Sequence, residues 1–85
     1  MIWTVIVAKS AQKELEKLPA RDRDRVAAAL LQMATDPFRG DVRKLEGLED
    51  RWRRRVGNYR IFFAAKPSTW VVAISAVVRR TSTTY

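Results

Sequence analysis

Trp52-Arg53-Arg54-Arg55-Val56-Gly57-Asn58-Tyr59-Arg60-Ile61-Phe62-Phe63 is the stretch on which the fold turns. Two runs containing aromatic and β-branched residues flank Gly57-Asn58, and Gly-Asn between such runs signals a two-residue hairpin loop. With that loop, Val56 pairs with Tyr59, Arg55 with Arg60, Arg54 with Ile61 and Arg53 with Phe62. Side chains alternate between the two sides of a strand. Arg53, Arg55, Arg60 and Phe62 therefore share one side, and Trp52, Val56, Tyr59, Ile61 and Phe63 share the other. The apolar side must be covered. Arg54 falls among the apolar set, where a long cationic side chain is expected to snorkel at an edge.

Downstream, Lys66-Pro67-Ser68-Thr69 reads as a turn and Trp70–Val78 as a further strand. Plain alternation puts Ser75, Val77 and Arg79 on one side, so Arg79 is expected beside the hairpin arginines. Upstream, Ile2–Val7 is short and β-branched, which predicts a first strand. Ser10 suits a helix N-cap, with Ala11, Leu15 and Leu18 on one helical face. Pro19 separates this from a second helix whose Val26, Leu30 and Met33 share a face, and Asp36-Pro37 ends it. The Arg21-Asp22-Arg23-Asp24-Arg25 run reads as its solvated first turn. The expected class is α+β: a single domain, residues 1–85, ordered β-α-α-β-β-β. A helical pair covers one face of a small antiparallel sheet.

The charge is divided unevenly along the chain. Residues 1–50 hold nine basic and nine acidic residues, while residues 51–85 hold eight basic residues and no acid, giving the whole net charge of +8. Cations packed this closely repel one another in the compact state, and cross-strand like charges such as Arg55 and Arg60 destabilise a sheet. Guanidinium forks match phosphate geometry. The pattern points to an anionic partner on the arginine side.

Composition narrows the chemistry. The chain has 85 residues without a cysteine or a histidine, which removes disulfides, thiolate metal sites and the commonest general base. Catalysis would have to use Arg, Lys, Tyr, Ser, Thr or carboxylates. No run reaches the roughly 18 apolar residues of a membrane span. The apolar start lacks the basic n-region of a secretion signal, so a cytoplasmic location is expected.

The chain resembles the RelE/ParE superfamily of toxins from toxin–antitoxin operons along nearly its whole length. The resemblance rests on Glu14-Leu15-Glu16-Lys17-Leu18-Pro19, Lys44-Leu45-Glu46-Gly47-Leu48, the hairpin quoted above, and a last strand closing on Arg79-Arg80-Thr81-Ser82 and Tyr85. The RelE branch is made up of endoribonucleases that need no metal or cofactor and cut messenger RNA at the ribosome. Its catalytic positions match Arg53, Arg55, Arg60, Arg79 and Tyr85 here. Retention of this set favours the RelE branch over the ParE branch, which poisons DNA gyrase. Lys44, Arg51 and Arg80 are expected to add RNA contacts. The resemblance also implies a neutralising antitoxin from the same operon and operator DNA bound by the toxin–antitoxin complex, with no membrane partner. The best-known members carry lysines where this chain has Arg53 and Arg55. An arginine does not give up its proton, so the base role shifts towards Tyr85.

Overall fold

In a computed structural model, which describes residues 2–47 and 50–79, the elements are β1 (Thr4–Val7), α1 (Lys9–Glu16), α2 (Ala20–Met33), β2 (Val42–Lys44), β3 (Arg51–Val56), β4 (Tyr59–Lys66) and β5 (Val71–Arg79). They form one sheet in the order β1-β5-β4-β3-β2, with both helices on one side. The α+β architecture is as expected. Two features differ from the sequence reading. β1 pairs with β5 in parallel, and a strand of three residues, β2, pairs antiparallel with β3. A run as short as Val42–Lys44 has too little periodicity to be read as a strand. It is held instead by its neighbours, since Arg55 N–H donates to Asp41 O and Leu45 N–H donates to Arg51 O, both at 2.9 Å.

The hairpin register is the one the sequence implies, from Val56 opposite Tyr59 to Arg53 opposite Phe62. Gly57 has a φ of +56°, and Asn58 is not among the positive-φ residues, which fits a type II′ turn. A Cβ on Gly57 would also stand 3.2 Å from Nη2 of Arg25, whose guanidinium lies over the turn.

One layer of apolar side chains fills the space between helices and sheet. Val26, Ala29, Leu30 and Met33 of α2 and Ala11 of α1 meet Tyr59, Ile61, Phe63 and Ala65 of β4 and Val72, Ile74 and Val77 of β5. α1 begins after Ala8, so Ser10 lies inside the first turn and is not the N-cap. Trp3 packs edge-to-face on Trp70 at 4.8 Å and on Phe38 at 6.1 Å, and Phe38 continues to Trp52 at 4.9 Å. This aromatic chain ties the start of β5 to β3 through the loop after α2.

Arg54 has a definite place on the covered side. Its Nη2 donates to Oε1 of Gln32 at 2.6 Å and its Nη1 to the carbonyl of Ala29 at 3.4 Å. Both acceptors belong to the last turns of α2, where the helix dipole favours a cation. Burial and the nearby charge of Arg39 hold its pKa below the ordinary arginine value. Gly40, at φ +92°, leaves room for this guanidinium: a Cβ there would be 3.3 Å from Nη2. Arg54 therefore clamps β3 to α2 and does not merely snorkel. We expect Arg54→Ala to destabilise the fold by about 1–3 kcal/mol in urea unfolding. Gly40→Ala is expected to cost about 1–2 kcal/mol in the parent. In the Arg54→Ala background it should cost less, because only the backbone penalty survives; equal costs in both backgrounds would break the link between the two residues.

Candidate functional site

The open side of the sheet is built by the alternation of β3 and β4. Arg51, Arg53 and Arg55 of β3 point to the same side as Arg60 and Phe62 of β4, because Arg55 lies opposite Arg60 and Arg53 opposite Phe62. β2 adds Arg43, directly opposite Arg53. Two like-charged pairs thus sit side by side, each disfavoured by up to ~1 kcal/mol relative to neutral residues. Among the described residues, the only salt bridge to this group joins Arg51 to Asp50 at 3.9 Å. Nε of Arg60 is buried without a hydrogen-bond partner. An anion laid on this face would relieve the repulsion.

Arg43 is the residue that the sequence reading missed. Its signal was present in the Val42-Arg43-Lys44 alternation, but only a partner strand turns that alternation into a face. Lys44, expected to add an RNA contact, is opposite Trp52 and so lies on the helix-covered side, away from the arginines. Arg51 is on the open side as expected. Arg80 and Tyr85 lie outside the described residues.

Arg79 is not where simple alternation put it. The β4–β5 ladder contains a bulge between Phe62 and Phe63, where Phe62 pairs with Ala76 and Phe63 with Ile74. Ser75 is the extra residue, and its Oγ donates to the Phe62 carbonyl at 3.1 Å. A bulge of one residue reverses the phase of everything beyond it. Val77 consequently joins Ile74 in the core, and Arg79, in phase with Val77, lies opposite Tyr59 at the end of the sheet. It borders the groove formed with Ser10 and Glu14 of α1. Arg53, Arg55 and Arg60 are brought together; Arg79 stands across the sheet plane from them.

A second polar group occupies that sheet end. The Tyr59 hydroxyl donates to Oδ2 of Asp22 at 2.9 Å. Asp22 is the one member of the Arg21–Arg25 run that is not exposed. The hydrogen bond to the Asp22 carboxylate, followed by desolvation and the carboxylate charge, raises the Tyr59 pKa above its ordinary 10.0, with Arg79 opposing. The Tyr59 hydroxyl is therefore held as a hydrogen-bond donor to Asp22.

The fold agrees with that of known proteins. The ParE toxin family of type II toxin–antitoxin systems, parDE, matches residues 5–82, and the chain belongs to it. It is similar to archaeal RelE in the RelE–RelB complex of Pyrococcus horikoshii, with 27% identity and a TM-score of 0.86 over 98% of this chain and 100% of that one. The toxin–antitoxin complex RelBE of Mycobacterium tuberculosis is similar at 26% identity and TM-score 0.82, over 94% and 100%. Isolated Escherichia coli RelE shares the fold at 20% identity and TM-score 0.82, over 95% and 87%. No curated protein matches in sequence. The protein is a type II toxin of the RelE/ParE superfamily.

The raised Tyr59 pKa has a pH consequence. A group whose folded pKa lies above its unfolded value contributes stability below the unfolded pKa, and that contribution fades as pH rises through the folded one. In a Tyr85→Phe background, phenolate absorbance should report Tyr59 ionising above its ordinary 10.0. Asp22→Asn should bring the midpoint down. An unchanged midpoint would mean that the carboxylate is not the cause.

Proposed function

We propose that this toxin is a metal-independent endoribonuclease that cuts messenger RNA at the ribosome and so stops translation. One observation carries the reading: Arg43, Arg53, Arg55 and Arg60 share an open sheet face with no salt bridge to an acid among the described residues. Retaining such a cluster costs stability, and phosphate recognition is what would offset it. The reading is further supported by the RelE–RelB structures at 27% and 26% identity.

The chemistry requires three things. The ribose 2′-OH must lose its proton, the 2′-oxygen must attack the adjacent phosphorus, and the bond to the 5′-oxygen must break as that oxygen takes up a proton. The products are a 2′,3′-cyclic phosphate and a 5′-OH. Arg53, Arg55 and Arg60 form the clamp that stabilises the pentacovalent phosphorane, a task suited to fixed positive charge. Tyr85 removes the 2′ proton. By chain length it stays within ~22 Å of Arg79, and a cation placed beside a phenol favours the phenolate. Arg79 stabilises the leaving oxygen, which takes its proton from water. Because it lies opposite Tyr59 at the sheet end, this role requires the leaving strand to pass around that end. Arg51 and Arg80 hold flanking RNA.

The toxin has a cognate antitoxin, as the similar archaeal and mycobacterial proteins do. An acidic or amphipathic segment would mask the arginine face, and the complex would bind its own operator DNA. Cytoplasmic residence accords with this role, and among the described residues no helix is long and apolar enough to cross a membrane. The ParE family match favours one second reading, inhibition of DNA gyrase without RNA cleavage.

Tightly controlled expression followed by primer extension separates the two. Cleavage predicts new messenger 5′ ends bearing hydroxyls. Toxicity without new ends, together with gyrase-linked DNA breaks, would establish the second reading instead. Tyr85→Phe is expected to lower cleavage by about 10²–10⁴-fold, the usual range for a general base. Arg79→Ala should abolish toxicity while thermal unfolding stays cooperative. Full toxicity in both variants would remove these catalytic assignments.

A further inference from the structure

We infer that Arg43 extends the clamp of Arg53, Arg55 and Arg60 to a second phosphate, with Arg53 as the member shared between the two, so that a single RNA strand lies with its backbone along β3. The inference rests on the ribonuclease reading of the open face and adds to it the form of the substrate and the line its backbone follows.

The register supplies the spacing. Arg43 is directly opposite Arg53, and Arg55 directly opposite Arg60. The two pairs are two residues apart along β3, which is about 6.8 Å in an antiparallel strand. That separation is comparable with the distance between successive phosphates on an extended single strand. Arg51 continues the row by a further two residues. Each pair can present two guanidinium groups to one phosphate.

The rest of the face supplies the orientation. From Phe62 towards β5 and β1 the open side changes to Ala64, Ala73, Ala76, Val78 and Ile6, with Lys66 alone charged at the far end of β4. Val78 is 46% exposed and Ile6 52%. A basic strip bordered by an apolar one fits one backbone with its bases leaning towards Phe62, where an aromatic ring can stack on a base. A duplex would bring a second charged backbone over the apolar half, where nothing would neutralise it.

The backbone of β2 makes Arg43 dependable as a contact. Hydrogen bonds from Arg55 N–H to Asp41 O and from Leu45 N–H to Arg51 O tether the residues on either side of it. Arg43 itself is exposed and has no salt bridge among the described residues. Its removal takes away a charge without removing packing.

The test is binding of a short 2′-O-methylated oligoribonucleotide, which cannot undergo 2′-OH attack, followed by fluorescence anisotropy across a salt series. Arg43→Ala should weaken binding on the order of tenfold and flatten the slope of log Kd against log salt by ~0.7, the value for one phosphate contact on a single strand. Arg23→Ala on the exposed side of α2 should change neither. The Tm of Arg43→Ala should be unchanged or higher, since a like-charge pair is relieved. A neutral methylphosphonate walked along the oligonucleotide should reveal one linkage at which the wild type weakens and Arg43→Ala does not. An unchanged salt slope, or a loss in Arg43→Ala that is the same at every linkage, would overturn the subsite while leaving the ribonuclease reading intact. A wild type with no salt-dependent RNA binding would overturn both.

Discussion

The sheet has a covered side and an open side, and β3 must place each residue on one of them. Its Arg51, Arg53 and Arg55 go to the open side because Trp52 and Val56 pack against the hydrophobic core. The grouping of the hairpin arginines follows from this alternation. The core can accept only apolar side chains or a cation with partners of its own, so the repelling arginines have to gather outside. The stability for holding them there comes from the opposite face, where Ile61 and Phe63 of the adjacent strand are almost fully buried.

Arg54 shows how narrow the exception is. A cation on the covered side is tolerated because Gln32 and the Ala29 carbonyl accept from it and because Gly40 leaves space. The same contacts brace β3 against α2. The strand that carries the proposed phosphate clamp is therefore fixed from behind by a residue of the same type. Asp22 and Tyr59 make a comparable tie at the hairpin end, between α2 and β4.

The arginine face also explains a tension in the composition. Like-charged neighbours in Arg43–Arg53 and Arg55–Arg60 weaken the free protein, and a bound anion would reverse that penalty. A type II toxin belongs to a system in which the toxin is paired with an antitoxin, so an exposed cationic surface need not persist unmasked. The apolar strip beyond Phe62 lies directly beside the basic one, which makes the open face amphipathic as a whole.

The hairpin and its register, the two helices and the grouping of Arg53, Arg55 and Arg60 were legible from the chain alone. They depend on local rules: a Gly-Asn turn, a period of two in strands and a helical period in Ala11–Leu18 and Val26–Met33. Three features were not legible. β2 is too short to declare itself without β3, so neither Arg43's place on the open face nor the side on which Lys44 falls is readable from the chain. The buried role of Asp22 required Tyr59 to arrive from a distant strand. The position of Arg79 was decided by Ser75, a residue whose bulge exists only because β4 and β5 must keep Phe63, Ile74 and Val77 in one core. Alternation within a strand is written in the sequence. Whether that alternation runs unbroken is decided by packing against the partner strand, because only the assembled core imposes the cost of pointing the wrong side chain inward.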